Sequence, residues 1–289
     1  MCIDCGEDIS RRSFLAGVTA AVTGAALSSQ AQRTSSSGTE ALDDPTITHG
    51  AVTFNNGPDN IKSYLARPKK EGRYRGVLVL HGNPGIPKDI RNAAAELAQA
   101  GYVGLAIDWN SRTPGPSNAL DKPLEFYMTN AFAKQNLRDY QAGIDYLKEQ
   151  PFVKRKRVGV VGFCGGGYSA LLLSTISKDV QAVVAFYAPP VFHPPRVSAA
   201  DPRPNLVDVV EQIKVPIQCH FGTQDKIIPL EDVRRFEQAL RAQRVKAEFF
   251  TYEGAGHAFY DFTRANLYNA AAAKLAHERM VSFLKKRLG

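Results

Sequence analysis

The chain is poor in cysteine, with four in 289 residues, and so few exclude a disulfide-stapled scaffold at this length. It also lacks long hydrophobic runs. The apolar stretch from Phe14 to Leu27 is 14 residues of mostly Ala, Gly and Thr, whereas crossing a bilayer takes about 20. No stable membrane anchor is expected. There is no H-E-x-x-H and no Cys/His cluster, and His49, His193 and His220 do not approach ligand spacing. No metal site is expected. Positive charge is scattered apart from Lys154-Arg155-Lys156-Arg157 and Lys285-Lys286-Arg287. Without an aromatic-interleaved basic stripe or a reading motif, nucleic acid is not an expected partner. Internal repeats and an interior linker are absent too.

What remains is an ordinary globular composition, 44% hydrophobic and 22% charged, with a net charge of +8. Ser10-Arg11-Arg12-Ser13-Phe14-Leu15 is a twin-arginine core before the weakly apolar run, and Ser29-Gln30-Ala31 supplies small residues for a cleavage site. The expectation is a twin-arginine signal over 1–31, a flexible Ser-rich lead-in over 32–45 and one domain over 46–289. Export by the twin-arginine machinery would leave the protein periplasmic or otherwise exported. Cys2 and Cys5 form a C-x-x-C that such cleavage would remove.

Beyond the lead-in, strand and helix patterns alternate. Ile47–Asn55 and Ile61–Arg67 read as a hairpin around Asn56-Gly57-Pro58-Asp59. The continuous apolar run at Gly76–Leu80 suits a strand covered on both faces, and Tyr102–Ile107, Arg157–Phe163, Ala182–Tyr187, Val215–Phe221 and Ala247–Tyr252 read as further strands. Helical patterns fall at Arg91–Ala100, Asn130–Glu149, Gly166–Ser177, Leu230–Gln243 and Ala265–Arg287. The expected fold class is α/β, a mostly parallel central sheet with helices on both faces. Two stretches, Asn110–Thr129 and the proline-rich Pro189–Pro204, follow strands and read either as surface loops or as walls of a ligand crevice.

The segment Gly162-Phe163-Cys164-Gly165-Gly166, between a buried strand and a helix, matches the nucleophile-elbow pattern G-x-S-x-G with cysteine replacing serine. Flanking glycines permit close backbone approach in a strained turn, and the helix N-terminus favours thiolate. Gly165-x-Gly167-x-x-Ala170 also fits a dinucleotide fingerprint. That reading wants the first βαβ unit and an acid ending the next strand, and neither is present, so no cofactor is expected. A buried structural cysteine is the other reading of Cys164, as it is for Cys219.

Downstream, Asp225 follows the strand ending at Phe221, and His257 lies in a Gly-rich loop after Tyr252. Nucleophile, acid and histidine in that order are characteristic of α/β-hydrolases. The candidate catalytic residues are therefore Cys164, Asp225 and His257, with Glu253 and Asp261 as alternative acids. The backbone N–H groups of Gly165 and Asn83, the latter in His81-Gly82-Asn83-Pro84-Gly85, are candidates for an oxyanion hole.

These motifs, with Gly222-Thr223-Gln224-Asp225 and Gly254-Ala255-Gly256-His257-Ala258-Phe259, resemble the dienelactone hydrolase (carboxymethylenebutenolidase) family from about Ile47 onward. The resemblance implies an α/β-hydrolase fold and a Cys-His-Asp triad cleaving a small-molecule ester or lactone whose free carboxylate is held by arginine. Arg112 falls where the family carries one such arginine. Position 82 is Gly where the founding members have glutamate, and position 261 is Asp where they have a second arginine. A general carboxylesterase on the same fold and a non-catalytic binding protein remain as alternative readings.

Overall fold

The computed structural model describes residues 40–289, apart from Asn83, 114–119, Arg155 and 195–196. The expected signal over 1–31 and most of the expected lead-in fall outside the described residues. The last part of that lead-in is fastened to the domain. Lys88 Nζ donates to Glu40 Oε1 (2.7 Å), Gln99 Nε2 donates to Asp44 Oδ2 (2.7 Å), and Ala41 is buried.

Eight strands form one sheet: β1 (Ile47–Asn56), β2 (Asp59–Pro68), β3 (Arg75–Leu80), β4 (Tyr102–Ile107), β5 (Val158–Phe163), β6 (Val180–Phe186), β7 (Ile217–Gly222) and β8 (Ala247–Tyr252). Their spatial order is β1-β2-β4-β3-β5-β6-β7-β8. The β1–β2 hairpin is antiparallel and joins β4 antiparallel, and every pairing from β4 to β8 is parallel. Burial follows the sequence pattern. β1 alternates exposed and covered positions, whereas β4, β5 and β7 are buried at every residue, as required of strands covered on both faces.

The helices are α1 (Lys88–Gln99), α2 (Leu124–Tyr127), α3 (Asn130–Glu149), α4 (Gly165–Ile176), α5 (Leu230–Ala242) and α6 (Ala270–Leu288). Backbone of α1 lies against Gly104 and side chains of α6 against Gly159, on one face of the sheet. Leu147 of α3, Gly166 of α4 and Phe236 of α5 pack on the other face. Helix α3 begins where its pattern predicts, because Thr129 Oγ1 accepts from Phe132 N (3.1 Å) as the N-cap. Helix α6 starts five residues later than expected. Asp261 accepts from Thr263 N, and Asn269, whose N donates to Phe259 O, supplies the N-cap.

Chain order reverses around β3, which has β4 on one side and β5 on the other. Open α/β sheets place their ligand crevice at the carboxyl ends of strands at such a switch point. The turn after β3 and the turn after β5 meet there.

Candidate active site

Strand β5 leads directly into α4 through Cys164, whose backbone takes φ 54° and ψ −123°. That conformation is costly for a side chain with a Cβ, and it is held by Cys164 N donating to Phe186 O (3.0 Å) and Tyr168 N to Cys164 O (3.1 Å). The turn closes so tightly that only glycine fits on either side. A Cβ on Gly162 would lie 2.3 Å from Gly166 O, and one on Gly166 2.3 Å from Leu80 O. The spacing recognised in the sequence thus has a steric cause.

Three side chains converge at the carboxyl ends of β5, β7 and β8. His257 Nε2 is 3.1 Å from Cys164 Sγ, and His257 Nδ1 is 2.8 Å from Asp225 Oδ2. The other carboxylate oxygen, Asp225 Oδ1, accepts from Ile227 N (2.8 Å) and Ile228 N (3.0 Å), which fixes the acid's orientation. The acid turn and the histidine loop are tied together by backbone. Gln224 N donates to Ala255 O (2.9 Å) and Gly254 N to Thr223 Oγ1 (3.0 Å). Glu253 and Asp261, the alternative acids, are elsewhere: Glu253 is exposed, and Asp261 accepts from Arg264 Nε (2.5 Å).

Burial pushes the Cys164 thiol up, but the His257 contact and the Gly165 N–H outweigh it and hold the thiol below its ordinary value. Burial also pulls His257 down, and its bonds to Asp225 and Cys164 reverse this, raising it to about 9. Both directions favour a thiolate–imidazolium pair at neutral pH. Gly82 approaches this pair from β3. A Cβ there would lie 3.3 Å from Cys164 Sγ and 2.9 Å from Gly165 N, so the turn has no space for the larger residue of the founding family members. Asn83, the expected second oxyanion donor, lies outside the described residues.

The pair opens into a cleft of about 760 Å³. Trp109, Phe132 and Phe192 give it apolar walls, and both stretches that sequence reading left undecided contribute: Leu120, Tyr127 and Met128 from one, Val191, His193 and Arg203 from the other. Each stretch therefore supplies part of the cleft wall. His193 Nε2 fastens the second stretch to Asp232 Oδ2 (2.6 Å) at the start of α5.

Arg112 is not among the residues lining this cleft, contrary to what the resemblance implies. Its guanidinium donates to both oxygens of Asp139, Nε at 3.1 Å and Nη2 at 2.6 Å, and also pairs with Asp59. The Asp139 bonds, the largest influence on it, raise its pKa. Asp139 sits on α3 and Asp59 in the hairpin, so no local pattern around Arg112 announces either. Conversely, Arg203, Asn136, Tyr140 and Ser169 line the cleft without a motif to mark them. The signal for Arg203 is its place in a proline-rich stretch after a core strand.

A model of the dienelactone hydrolase family matches residues 61–288. Among curated proteins, a Bradyrhizobium sp. protein named "Probable 2-oxo-3-(5-oxofuran-2-ylidene)propanoate lactonase" is 30% identical over 244 residues, 84% of this chain and 96% of that one. An Escherichia coli K12 protein provisionally named a carboxymethylenebutenolidase is 30% identical over 249 residues, covering 84% and 89%. Among solved structures, a Klebsiella pneumoniae protein provisionally named a dienelactone hydrolase superposes with a TM-score of 0.73 at 28% identity, over 82% of this chain and 97% of that one.

Proposed function

This chain belongs to the dienelactone hydrolase family, a lactone- and ester-hydrolase family of α/β-hydrolase fold, and from that premise we propose that it cleaves its substrate by acyl transfer to Cys164. The observation that carries this reading is the continuous relay Asp225–His257–Cys164, with contacts of 2.8 and 3.1 Å. The Cys164 thiolate attacks the ester or lactone carbonyl, forming a C–S bond and a tetrahedral oxyanion. The N–H groups of Gly165 and Asn83 bind that oxyanion. As the C–O bond breaks, the His257 imidazolium gives its proton to the departing alkoxide, leaving a thioester. His257, now neutral, takes a proton from water, and the hydroxide attacks the thioester carbonyl. Collapse returns the thiolate and releases the acid, while His257 keeps the proton. Asp225 holds the imidazole orientation throughout. Thiolate is a weaker base than the alkoxides of simple alcohols, so the route suits activated esters and enol lactones and is poor for amides.

The deciding experiment is rapid mixing with an activated aryl ester followed by intact-mass analysis. Wild-type protein should show a burst of phenolate and an acyl adduct on Cys164. Absence of both in wild-type protein, or full turnover by Cys164→Ala, contradicts the reading.

The arrangement of the chain is part of the same proposal. Residues 1–31 act as a twin-arginine signal, a lead-in follows over 32–45, and the hydrolase domain over 46–289 is exported to the periplasm or beyond. Ser10-Arg11-Arg12-Ser13-Phe14-Leu15 supports this. Replacing Arg11 and Arg12 together with Lys should retain the full-length precursor in the cytoplasm, and unchanged export would remove the assignment.

A further inference from the structure

The cleft is electrostatically one-sided. Its described lining contains two permanent cations, Arg203 and Lys226, and not one Asp or Glu. Arg203 is half-buried, and among the described residues no carboxylate lies within ion-pair distance of it. The nearest acid in sequence, Asp201, accepts instead from Ala131 N (2.7 Å). Among the described residues Arg203 Nε donates to Thr129 O (3.4 Å), and the guanidinium lies 5.8 Å from the Tyr168 ring centroid and 6.0 Å from that of Phe192. Burial lowers its pKa, yet a guanidinium does not give up its proton near neutral pH. A cation partly removed from water and left without a counter-ion is costly unless a ligand supplies the negative charge.

A second, independent observation falls in the same cleft. Asn136 is 5% exposed, and its amide oxygen Oδ1 has no hydrogen-bond partner among the described residues. It lines the cleft together with Tyr140, one turn further along α3, and Ser169 of α4. A buried amide oxygen without a partner is rare in a protein interior, and rotated about its χ2 the amide would turn its N–H donors to that place, where an anion can accept them.

We propose that Arg203 and Asn136 form an anion subsite that receives a carboxylate carried by the ester or lactone substrate. This places anion recognition on the β6–β7 stretch instead of at Arg112, which is neutralised by Asp139 and Asp59. Cys164, Arg203 and Asn136 line one cleft, so an acyl chain bearing a second carboxylate can occupy nucleophile and subsite together. The subsite deepens the reading of Cys164 as nucleophile and rests on it.

The test compares the p-nitrophenyl half-ester of glutaric acid with neutral p-nitrophenyl pentanoate, and adds an acetate ester of hydroxybenzoic acid to carry the charge on the leaving side. The measured quantity is the ratio of kcat/KM for each anionic ester to that for the neutral one. Arg203→Gln should lower the ratio for at least one anionic ester by about tenfold or more, the scale of a lost charge-assisted hydrogen bond. Arg203→Lys should fall between it and wild type, which also guards against a Gln variant that misfolds. In parallel, calorimetry with glutarate and Cys164→Ala protein should detect binding that Arg203→Gln in that background removes. Unchanged ratios in both Arg203 variants, together with no Arg203-dependent glutarate binding, overturn the subsite. Turnover persisting in Cys164→Ala overturns the nucleophile instead, and glutarate binding then decides the subsite alone.

Discussion

Cys164 and Cys219 are the same residue at two depths of the same sheet. Cys219 lies within β7, fully buried, where desolvation and the charge of Glu237 push its thiol well up. Cys164 lies one residue past the end of β5, where His257 and the Gly165 N–H hold its thiol down in spite of burial. The sheet interior offers apolar contact on every side, and its carboxyl edge offers helix N-termini, turn N–H groups and loop side chains. A few ångströms along a strand therefore change a thiol from inert packing to a candidate nucleophile. The backbone repeats the contrast. Four described non-glycine residues have positive φ: Cys164, Tyr187, Ala258 and Arg244. Cys164 is the candidate nucleophile, Ala258 adjoins His257, and the Tyr187 ring lies 5.0 Å from the His257 ring. Strain is concentrated at the edge and absent from the interior strands.

The comparison is broken most directly by exchanging the two thiols in turn. Cys164→Ala should lower kcat/KM for an activated aryl ester by about 10⁴-fold or more with the melting curve little changed. Cys219→Ala should keep the activity and lose about 1 kcal/mol of stability on denaturant titration. Activity that depended on Cys219 would reverse the assignment. Next in size, Asp225→Asn should cost roughly 10²- to 10⁴-fold in kcat, because the amide no longer stabilises the imidazolium. A loss under threefold would mean that another group orients His257.

The pH dependence sharpens the contrast further. Thiolate at Cys164 forms as pH rises through a lowered thiol pKa, so iodoacetamide should label it with an inflection below about 8.5, the free-cysteine value. Cys219 should stay unlabelled in the native protein. Hydrolysis also needs a proton on His257, so kcat/KM should fall as pH rises through about 9. A rate still climbing at higher pH would contradict the ion pair. The smallest expected effect is at Arg112. Arg112→Ala leaves buried Asp139 with fewer partners and should cost about 2 kcal/mol of stability, while KM for a carboxylate-bearing ester stays unchanged.

What could be read in advance divides along sequence distance. The elbow is spelled out by five consecutive residues because its steric demands are local. Asp225 and His257 were recognisable because each follows a successive strand and the order nucleophile, acid, histidine is kept along the chain. Helix α3 kept its expected bounds, Asn130–Glu149, since cap and amphipathic face lie within the segment. Arg112 misled for the opposite reason. Its partners come from 27 residues downstream and from the hairpin before it, and only the assembled sheet brings them together. Arg203 and Asn136 were silent likewise, one in a proline-rich stretch and one on the buried face of a helix that reads as packing.

The relay joins residues 93 and 32 positions apart, and its last member follows β8, the last strand in the sequence, at one edge of the sheet. Parallel strands cannot pair until the chain between them has been crossed over, so such contacts are slow to form in refolding. Fluorescence of Trp109, the chain's one tryptophan, reports packing of the β4 end against Tyr127 and Phe132, whereas turnover waits for the terminal segment to dock. The interval between the two signals is a clock for the last step of assembly, read without any added probe on the chain.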